Sequence, residues 1–378
     1  NTDGNYGDFK YSVPTDAKAI TTANLPISDD IDPAQTDDDY IGGKQFEAIK
    51  YTGNDGSPSN NITYGFQPDM VMHKMLGSTG GGYPAQLWDS TRGDDYYMYP
   101  FNTSGSVSDG SDYLEFTSTG VKLDNNWDGL NHSGESYISY GWRANGGTTV
   151  TNTEGSINNT LQANQNNGFS ISQFSNSSGA QTIGHGLGKA PAFYIIKIAS
   201  SGGSSWGVYH KGLGATKYLR FNSLNGATTA SNYFNDTEPT STVLSVGSTW
   251  TATSIMCYAW AEIEGFSKFG IYDGSGSTDG TFIYTGFRPK MVWIKRTNAA
   301  SVTYGWPVFI DEVTDNINKS EFKNFWLDQS VASGNFYGLD FLSNGFKHRN
   351  SNTNLDASGS TYIYCAWGDV PFKYNNTF

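Results

Sequence analysis

The stretch GFRPKMVWIK, residues 286–295, decides the fold class, because the chain contains two more versions of it. GFQPDMVMHK stands at residues 65–74, and GLGKAPAFYIIKI stands at residues 186–198. In each version glycine permits a tight turn, and a proline precedes an apolar run that reaches a lysine. A proline at the mouth of a strand breaks no ladder hydrogen bond. The run suits a strand buried on both faces, or a core strand of a sandwich.

Two more landmarks follow each opening phrase in the same order. The first is an aromatic-rich stretch: QLWDSTRG from Gln86, GVYHKGLG from Gly207 and VFIDEVTD from Val308. The second is a closing strand that ends in tryptophan: YISYGW at Trp142, SIMCYAW at Trp260 and YIYCAW at Trp367. The opening glycine and the closing tryptophan are 77, 74 and 81 positions apart. Landmarks in matched order indicate an internal repeat, and the recurring tryptophan is predicted to lie in each core.

The elements between these landmarks predict an all-β fold of three tandem β-sandwich or jelly-roll-like repeats of about 100 residues each. The phrases at residues 113–123 and 337–348 are typical of hairpins. Residues 1–40 do not match the repeat and include the acidic run DDIDPAQTDDD. The predicted repeats span residues 41–147, 148–266 and 267–378. Tandem copies of one domain predict an elongated rod or arm.

Composition limits the class of partner. The chain has a formal net charge of −13, with 16% charged and 15% aromatic residues. It has no cluster of lysines and arginines, so we expect neither a nucleic-acid partner nor docking on anionic lipid. No run approaches the roughly 18 apolar residues of a membrane-spanning helix, so we expect no membrane insertion. Low charge with many aromatic residues is typical of interface cores and predicts contacts with copies of the chain or with other proteins.

No constellation of catalytic or metal-binding residues stands out in the sequence. Asp89 and Asp311 occupy equivalent places in the first and third repeats, where the second repeat has His210. We expect a turn or capping role for these carboxylates, since a catalytic pair must share one site. The five histidines show no metal-ligand spacing, so neither a metal nor a cofactor is predicted. Asp273 and Asp279 lie in a predicted polar turn, with a loop calcium ion as the alternative.

Aromatic side chains outside the repeat landmarks are the best candidates for binding. Tyrosine and tryptophan supply rigid, amphipathic contact area, and several lie in predicted loops. We therefore predict binding through Tyr96, Tyr97, Tyr99, Trp127, Trp206 and Tyr209. Two uses stay open for these rings: stacking on the sugars of a glycan, or packing on a neighbouring subunit.

Taken together, the landmark phrases resemble a tandem β-rich domain of unknown function that recurs in virion structural proteins of tailed phages, especially marine ones. The closest matches are HGLGKAP with its apolar strand and lysine, at 185–197, and TYIYCAWGDVPFK, at 361–373. The resemblance covers about residues 41–373. The segment at 6–26 is similar to the end of a lectin-like or SPRY-like sandwich, so residues 1–40 would be the end of an upstream sandwich plus an acidic linker. The resemblance implies a virion-surface, extracellular location and transfers no catalytic residue.

These observations predict a non-enzymatic virion structural protein, such as a tail fibre or another appendage, that mediates assembly and attachment to the host surface. Its partners would be copies of itself or other virion proteins, with a host-surface glycan as a further ligand. Three alternatives stay open. They are a capsid decoration protein, a bacterial surface adhesin, and a polysaccharide depolymerase, which would need two or three carboxylates in one groove.

Overall fold

The computed structural model describes residues 45–77, 82–108, 113–301, 305–311, 323–335 and 337–368. Within these ranges the chain forms 28 strands and the short helix α1, at Ser231–Phe234. The sheets are antiparallel, so the predicted all-β class is confirmed. The segment predicted to end an upstream sandwich, residues 1–40, lies outside the described residues.

The first set of strands comprises nine elements that form two sheets. They are β1 (Phe46–Thr52), β2 (Asn60–Thr63), β3 (Met70–Met75), β4 (Gln86–Asp89), β5 (Gly93–Met98), β6 (Val107–Ser108), β7 (Glu115–Thr117), β8 (Gly120–Leu123) and β9 (Ser136–Trp142). The larger sheet has the order β1-β9-β3-β4-β5-β6, and the smaller sheet has the order β2-β8-β7.

The second set has ten strands and the short helix. The strands are β10 (Val150–Asn152), β11 (Asn159–Asn164), β12 (Phe169–Asn176), β13 (Gln181–Gly184), β14 (Phe193–Ile198), β15 (Gly207–His210), β16 (Lys217–Arg220), β17 (Thr228–Thr229), β18 (Val243–Val246) and β19 (Ala252–Trp260). The larger sheet has the order β10-β11-β12-β19-β14-β15-β16-β17, and the smaller sheet pairs β13 with β18.

The third set has nine strands again. They are β20 (Ser267–Asp273), β21 (Phe282–Tyr284), β22 (Met291–Arg296), β23 (Pro307–Ile310), β24 (Lys323–Trp326), β25 (Gly334–Asn335), β26 (Leu339–Leu342), β27 (Gly345–His348) and β28 (Thr361–Trp367). The larger sheet has the order β20-β28-β22-β23-β24-β25, and the smaller sheet has the order β21-β27-β26. This order matches that of the first set, strand for strand.

The opening phrase takes the same place in all three larger sheets. Strands β3, β14 and β22 each lie between the closing strand and the strand of the aromatic-rich landmark. The first residue of each opening strand pairs with the closing tryptophan: Met70 with Trp142, Phe193 with Trp260, and Met291 with Trp367. The opening strands therefore share one topology, while the repeat boundaries given above stay a prediction.

Local turn chemistry explains where these strands begin and how the predicted hairpins form. Gly65 and Gly286 open two of the phrases with φ angles of 86° and 90°, a region that side chains disfavour. The two predicted hairpins are present, since β7 pairs with β8 and β26 pairs with β27.

Each larger sheet is buried on both faces. Successive side chains of a strand point to opposite sides, so alternate residues enter two different cores. In β22, Val292 and Ile294 face an outer core that the smaller sheet of the third set covers. Met291 and Trp293 face the other way, into a central core. The inner faces of all three larger sheets contribute to that central core. The expected elongated rod is therefore wrong, because the sets pack around a shared core instead of following one another in a line.

Trp142, Trp260 and Trp367 meet in this central core. The ring centroid of Trp142 lies 5.5 Å from that of Trp260 and 5.3 Å from that of Trp367. The remaining pair is 5.9 Å apart, and all three contacts are edge to face. At most 1% of each residue is exposed, so the prediction that they are core residues is confirmed. They fill one core between them, whereas the sequence predicted three separate cores.

The lysine of each opening strand joins neighbouring sets. The side-chain nitrogen of Lys197, in the second set, lies 3.1 Å from the Thr103 carbonyl oxygen of the first. That of Lys295, in the third set, lies 2.9 Å from the carbonyl oxygen of Leu224 in the second. Lys74 of the first set donates to a carbonyl oxygen of the third. Each set thus holds one neighbour, and we call the closed arrangement the three-set ring.

Candidate functional site

Three of the predicted binding residues lie together on the first set. Tyr97 is on β5, Tyr99 follows that strand, and Trp127 lies between β8 and β9. The Tyr97 ring centroid is 5.2 Å from that of Tyr99 and 5.4 Å from that of Trp127. Tyr97 is buried, and the other two are half-buried. The sequence therefore located a real aromatic cluster.

The Trp127 ring is enclosed by aromatic neighbours. Tyr113 stacks on it with ring centroids 5.0 Å apart and an interplanar angle of 24°. Tyr83 and Trp88 each meet it edge to face at 6.5 Å, and Tyr97 tilts against it. A ring with so many aromatic neighbours completes the outer core of the first set. It offers little free surface on which a sugar could stack.

The other three predicted residues are dispersed. Trp206 is fully buried where the second set meets the first, and its indole nitrogen donates to the Tyr99 carbonyl oxygen over 3.0 Å. Tyr209 is buried against Tyr194, with stacked rings 4.5 Å apart. Tyr96 is 42% exposed. Trp206 and Tyr209 were expected to present rings at loops, and this is wrong because packing between sets and within the sheet buries both.

The hydroxyl end of Tyr209 nevertheless reaches a surface cleft on the second set, which we call the Tyr209 cleft. It encloses about 390 Å³. The Tyr209 hydroxyl and the Ala215 N–H donate to the two carboxylate oxygens of Glu238. Lys211 forms an ion pair of 2.6 Å with Glu262 on another wall. Both carboxylates of this cleft are therefore already bonded to groups of the chain.

A second cleft, the Tyr284 cleft, lies where the second and third sets meet. It encloses about 640 Å³, and its walls include Lys189, Glu262, Glu264, Lys268 and Tyr284. Lys189 and Glu262 also line the Tyr209 cleft, so the two clefts adjoin. Tyr284 is 63% exposed, the largest value among the exposed large hydrophobic residues that the structure describes. This cleft therefore combines an accessible aromatic ring with charges of both signs.

Tyr284 was missed by the sequence analysis, although the chain contains a signal for it. Strands β2, β13 and β21 each pair with the equivalent strand of their smaller sheet and each bury an isoleucine. The residues on either side of that isoleucine are Asn61 and Thr63 in the first set, Thr182 and Gly184 in the second, and Phe282 and Tyr284 in the third. Comparing the copies at these flanking positions would have singled out the third, because of the three it alone has aromatic residues there.

Three buried lysines have side-chain pKa values below the ordinary value for lysine. Burial lowers the pKa of Lys74 to about 7 and the pKa values of Lys197 and Lys295 to about 8. Shifts of this kind are common at catalytic sites, but also occur in structural networks. These three amines are held by main-chain carbonyl groups between sets, and they line neither cleft. We therefore assign these lysines to the contacts between sets that close the three-set ring.

Asp89 and His210, which occupy equivalent places, both contact a neighbouring set. The Asp89 carboxylate accepts the Arg92 N–H over 2.9 Å, which confirms the expected turn role. It also accepts the Tyr258 hydroxyl of the second set over 2.6 Å. The His210 ring nitrogen Nε2 lies 3.2 Å from the Tyr364 carbonyl oxygen of the third set. Residues at equivalent positions thus form hydrogen bonds to a neighbouring set.

Of the remaining carboxylates that the sequence singled out, Asp311 and Asp279 form ion pairs, whereas Asp273 ends β20 and accepts the Thr361 hydroxyl over 2.9 Å. Asp311 pairs with Arg288 at 2.6 Å. Asp279 pairs with Lys347 at 2.7 Å and with Arg349 at 3.2 Å, which fits the polar turn predicted there. Within the described ranges, no group of three or more His, Cys, Asp or Glu residues is placed to hold a metal ion.

Comparison with protein families places the chain among known domains. A family described as "Domain of unknown function (DUF7483)" matches residues 42–371, which include the strands of all three sets. A search of curated proteins gives no match. In the part of the chain that the structure describes, no helix is long and apolar enough to cross a membrane.

Proposed function

Since this chain belongs to the DUF7483 family, whose function is unknown, we propose a role for it from its geometry and from the phage resemblance of its repeated phrases. The role is that of a non-enzymatic structural protein on the surface of a tailed-phage particle, in a tail fibre or another appendage. There it contributes to assembly, through copies of itself or other virion proteins, and to attachment to the host surface.

The observation that supports this role best is the closure of three large sheets around one tryptophan core. Sets that share a densely packed core and hold one another through buried lysines form a rigid block. A rigid block suits a building part that must keep its shape. Its compact form favours the tip of an appendage over the shaft. A capsid decoration protein would need the same property and is the nearest alternative.

A polysaccharide depolymerase is the alternative from a different class. Such an enzyme needs two carboxyl groups flanking one bond of the substrate. In its favour, Glu238 and Glu262 line the same cleft. Against it, these carboxylates already accept hydrogen bonds from Tyr209, Ala215 and Lys211, which supports a structural use.

Location on the particle tests the proposal directly. Antibodies against the purified chain would be used to label phage particles from a producing culture for electron microscopy, and purified particles would be analysed by mass spectrometry. We expect label on an appendage and copies of the chain in the particle. Label on the bacterial envelope, with none on particles, would reject the proposal in favour of an adhesin. Label spread over the capsid would favour a decoration protein.

Enzyme activity is tested separately by measuring the release of reducing ends from host polysaccharide. We expect no release by the wild-type chain. Release that disappears in Glu238→Gln and Glu262→Gln, but persists in a Glu115→Gln control on an exposed strand position, would establish the depolymerase.

A further inference from the structure

We propose that the Tyr284 cleft binds a neutral saccharide and that the Tyr284 ring is its stacking surface. This inference rests on the proposed attachment role and adds a site and a ligand class to it. It places a glycan site at the boundary between the second and third sets, away from the six residues of the first and second sets through which the sequence predicted binding.

The first argument is the free surface of the Tyr284 ring. The residue is 63% exposed, and its ring makes no aromatic contact with any other described residue. Trp127, by contrast, is packed against several aromatic rings. An exposed aromatic ring on the wall of a cleft marks an interaction site, because a ligand can cover its apolar face. Tyrosine also brings a hydroxyl group that can donate or accept a hydrogen bond.

The second argument comes from β2 and β13, the sister strands that take the place of β21 in the other two sets. Strand β2 has the exposed Thr63 at the place of Tyr284, and β13 has Gly184, where Asn152 leaves no room for a side chain. Both strands still form their pairings, so a strand at this place does not need an aromatic residue to fold. The neighbouring Phe282 has a packing role, because a side chain added at Gly345 would come within 3.0 Å of its ring. Tyr284 lies on the wall of the cleft instead. Its aromatic character is therefore best explained by a ligand.

The third argument is the balance of charge in the cleft. Lys189 and Lys268 share its walls with Glu262 and Glu264, although the whole chain has a net charge of −13. The side chains of Lys189, Lys268 and Glu264 form no hydrogen bond or ion pair with another described residue. Ammonium groups donate and a carboxylate accepts, so both kinds of partner are available to sugar hydroxyls. Glu262 is already paired with Lys211, and the other charges are two ammonium groups and the Glu264 carboxylate, so no cluster of one sign selects an acidic sugar.

Size and rigidity fit the same ligand class. The volume of about 640 Å³ lies within the usual range of ligand pockets, roughly 300–1,000 Å³. The walls come from two sets that share the central core, so the cleft is formed before any ligand binds. The hydroxyl of Tyr284 lies close to Gly286, since a side chain added there would come within 3.6 Å of it. The Tyr284 ring itself stays open to solvent.

The test is a binding assay with the purified full chain on an array of neutral and acidic oligosaccharides. Calorimetric titration of the strongest neutral binder follows. We expect binding to neutral glycans, and a loss of affinity of about tenfold or more in Tyr284→Ala. Tyr284→Phe should keep most of the affinity because it keeps the ring. Thr63→Ala, at the sister position of the first set, is the matched control and should bind like the wild type.

Several outcomes would overturn the inference. They are the absence of binding to any neutral glycan, binding to acidic glycans only, and equal affinity of Tyr284→Ala and the wild type. Loss of affinity in Tyr96→Ala instead would place the site on the first set. A change in sedimentation caused by Tyr284→Ala would assign the ring to subunit packing. Circular dichroism of each variant confirms its fold, which an exposed residue should leave intact.

The same experiment separates this inference from the proposed function. A chain that is found on particles but binds no glycan would reject the saccharide site alone. A chain that binds neutral glycans through Tyr284 but is missing from particles would reject the virion role alone.

Discussion

The side-chain nitrogen of Lys74 lies 2.9 Å from the main-chain carbonyl oxygen of Val331, which is 257 positions later in the chain. This hydrogen bond joins the opening strand of the first set to a loop of the third and closes the three-set ring. Lys197 and Lys295 make the corresponding contacts at the other two boundaries. Because every set holds a neighbour and shares the central core, we expect the ring to unfold in one cooperative transition.

Replacing Trp142 with alanine should lower the free energy of unfolding by about 3–5 kcal/mol. The ring is fully buried and contacts Trp260 and Trp367 from the other two sets, so its loss leaves a cavity in the shared core. Denaturant titration followed by circular dichroism measures the change. Trp127→Ala, which removes a half-buried ring of the first set, should cost less. Separate transitions for the three sets in the wild type would contradict a shared core.

The free energy of unfolding should rise between pH 7 and pH 10. An unfolded lysine has a pKa near 10.5, whereas burial lowers that of Lys74 to about 7 and those of Lys197 and Lys295 to about 8. In this range the unfolded chain binds more protons than the folded chain, so stability increases with pH. Above about pH 10 the trend should reverse, because the pKa of buried Tyr258 is raised and unfolding lets it ionise.

A variant of Lys74 isolates its share of this pH dependence. Lys74→Met removes the titrating amine, and since one pKa unit corresponds to about 1.4 kcal/mol, the rise should shrink by a few kcal/mol. Lys217→Met, at an exposed position of β16, should keep the wild-type profile. Equilibrium unfolding at a series of pH values gives both curves. An unchanged profile in Lys74→Met would show that this amine does not titrate in the range.

Mild acid should destabilise the chain. Burial lowers the pKa of His73 to about 3 and those of His210 and His348 to about 4, from an ordinary value near 6.5. Below pH 6.5 the unfolded chain takes up protons that the folded chain does not, so stability falls with pH. His73→Gln should reduce the loss between pH 7 and pH 5 by about 2 kcal/mol. Equilibrium unfolding at pH 7 and at pH 5 measures the loss for both chains, and an unchanged loss in His73→Gln would contradict the prediction.

The ion pair between Lys290 and Glu47 should couple the third set to the first. The two charges lie 2.5 Å apart, and their side chains are 11% and 6% exposed. Lys290→Met alone leaves a nearly buried carboxylate without this cation, so we expect a loss of about 2–4 kcal/mol of unfolding free energy. Adding Glu47→Gln should recover part of it. A double-mutant cycle from thermal or denaturant unfolding measures the coupling, and additive effects would show that the pair contributes nothing.

The strands and their repetition were predictable, but their packing was not. The run MVWIK indicated burial on both faces and left open a sandwich core as the other reading. In the structure Val292 and Ile294 face the outer core, while Met291 and Trp293 face the central one. A buried residue looks the same in sequence whichever segment covers it. The sequence therefore could not show that the second face meets the other copies, and the elongated rod was the wrong conclusion.

The burial of the candidate binding residues could not be predicted either, because it depends on contacts between distant segments of the chain. Composition and position located Tyr97, Tyr99 and Trp127, but the rings that cover Trp127 come from distant segments. Trp206 looked like a loop residue, yet its partner Tyr99 lies 107 positions earlier in the chain. Tyr284 escaped notice because binding residues were sought in loops, and it lies on a strand. Only comparison with the sister strands makes it stand out.

Because one chain supplies all three sets, the three-set ring need not carry the same surface residues on each set. Three identical subunits around a comparable core would show every surface residue three times, related by symmetry. Here each copy has diverged separately, so the tyrosine of the third set corresponds to a threonine and a glycine in its sisters. The molecule therefore offers the proposed ligand site once, and a single chain is monovalent. Any gain in avidity on a host surface must come from the number of chains that one particle displays.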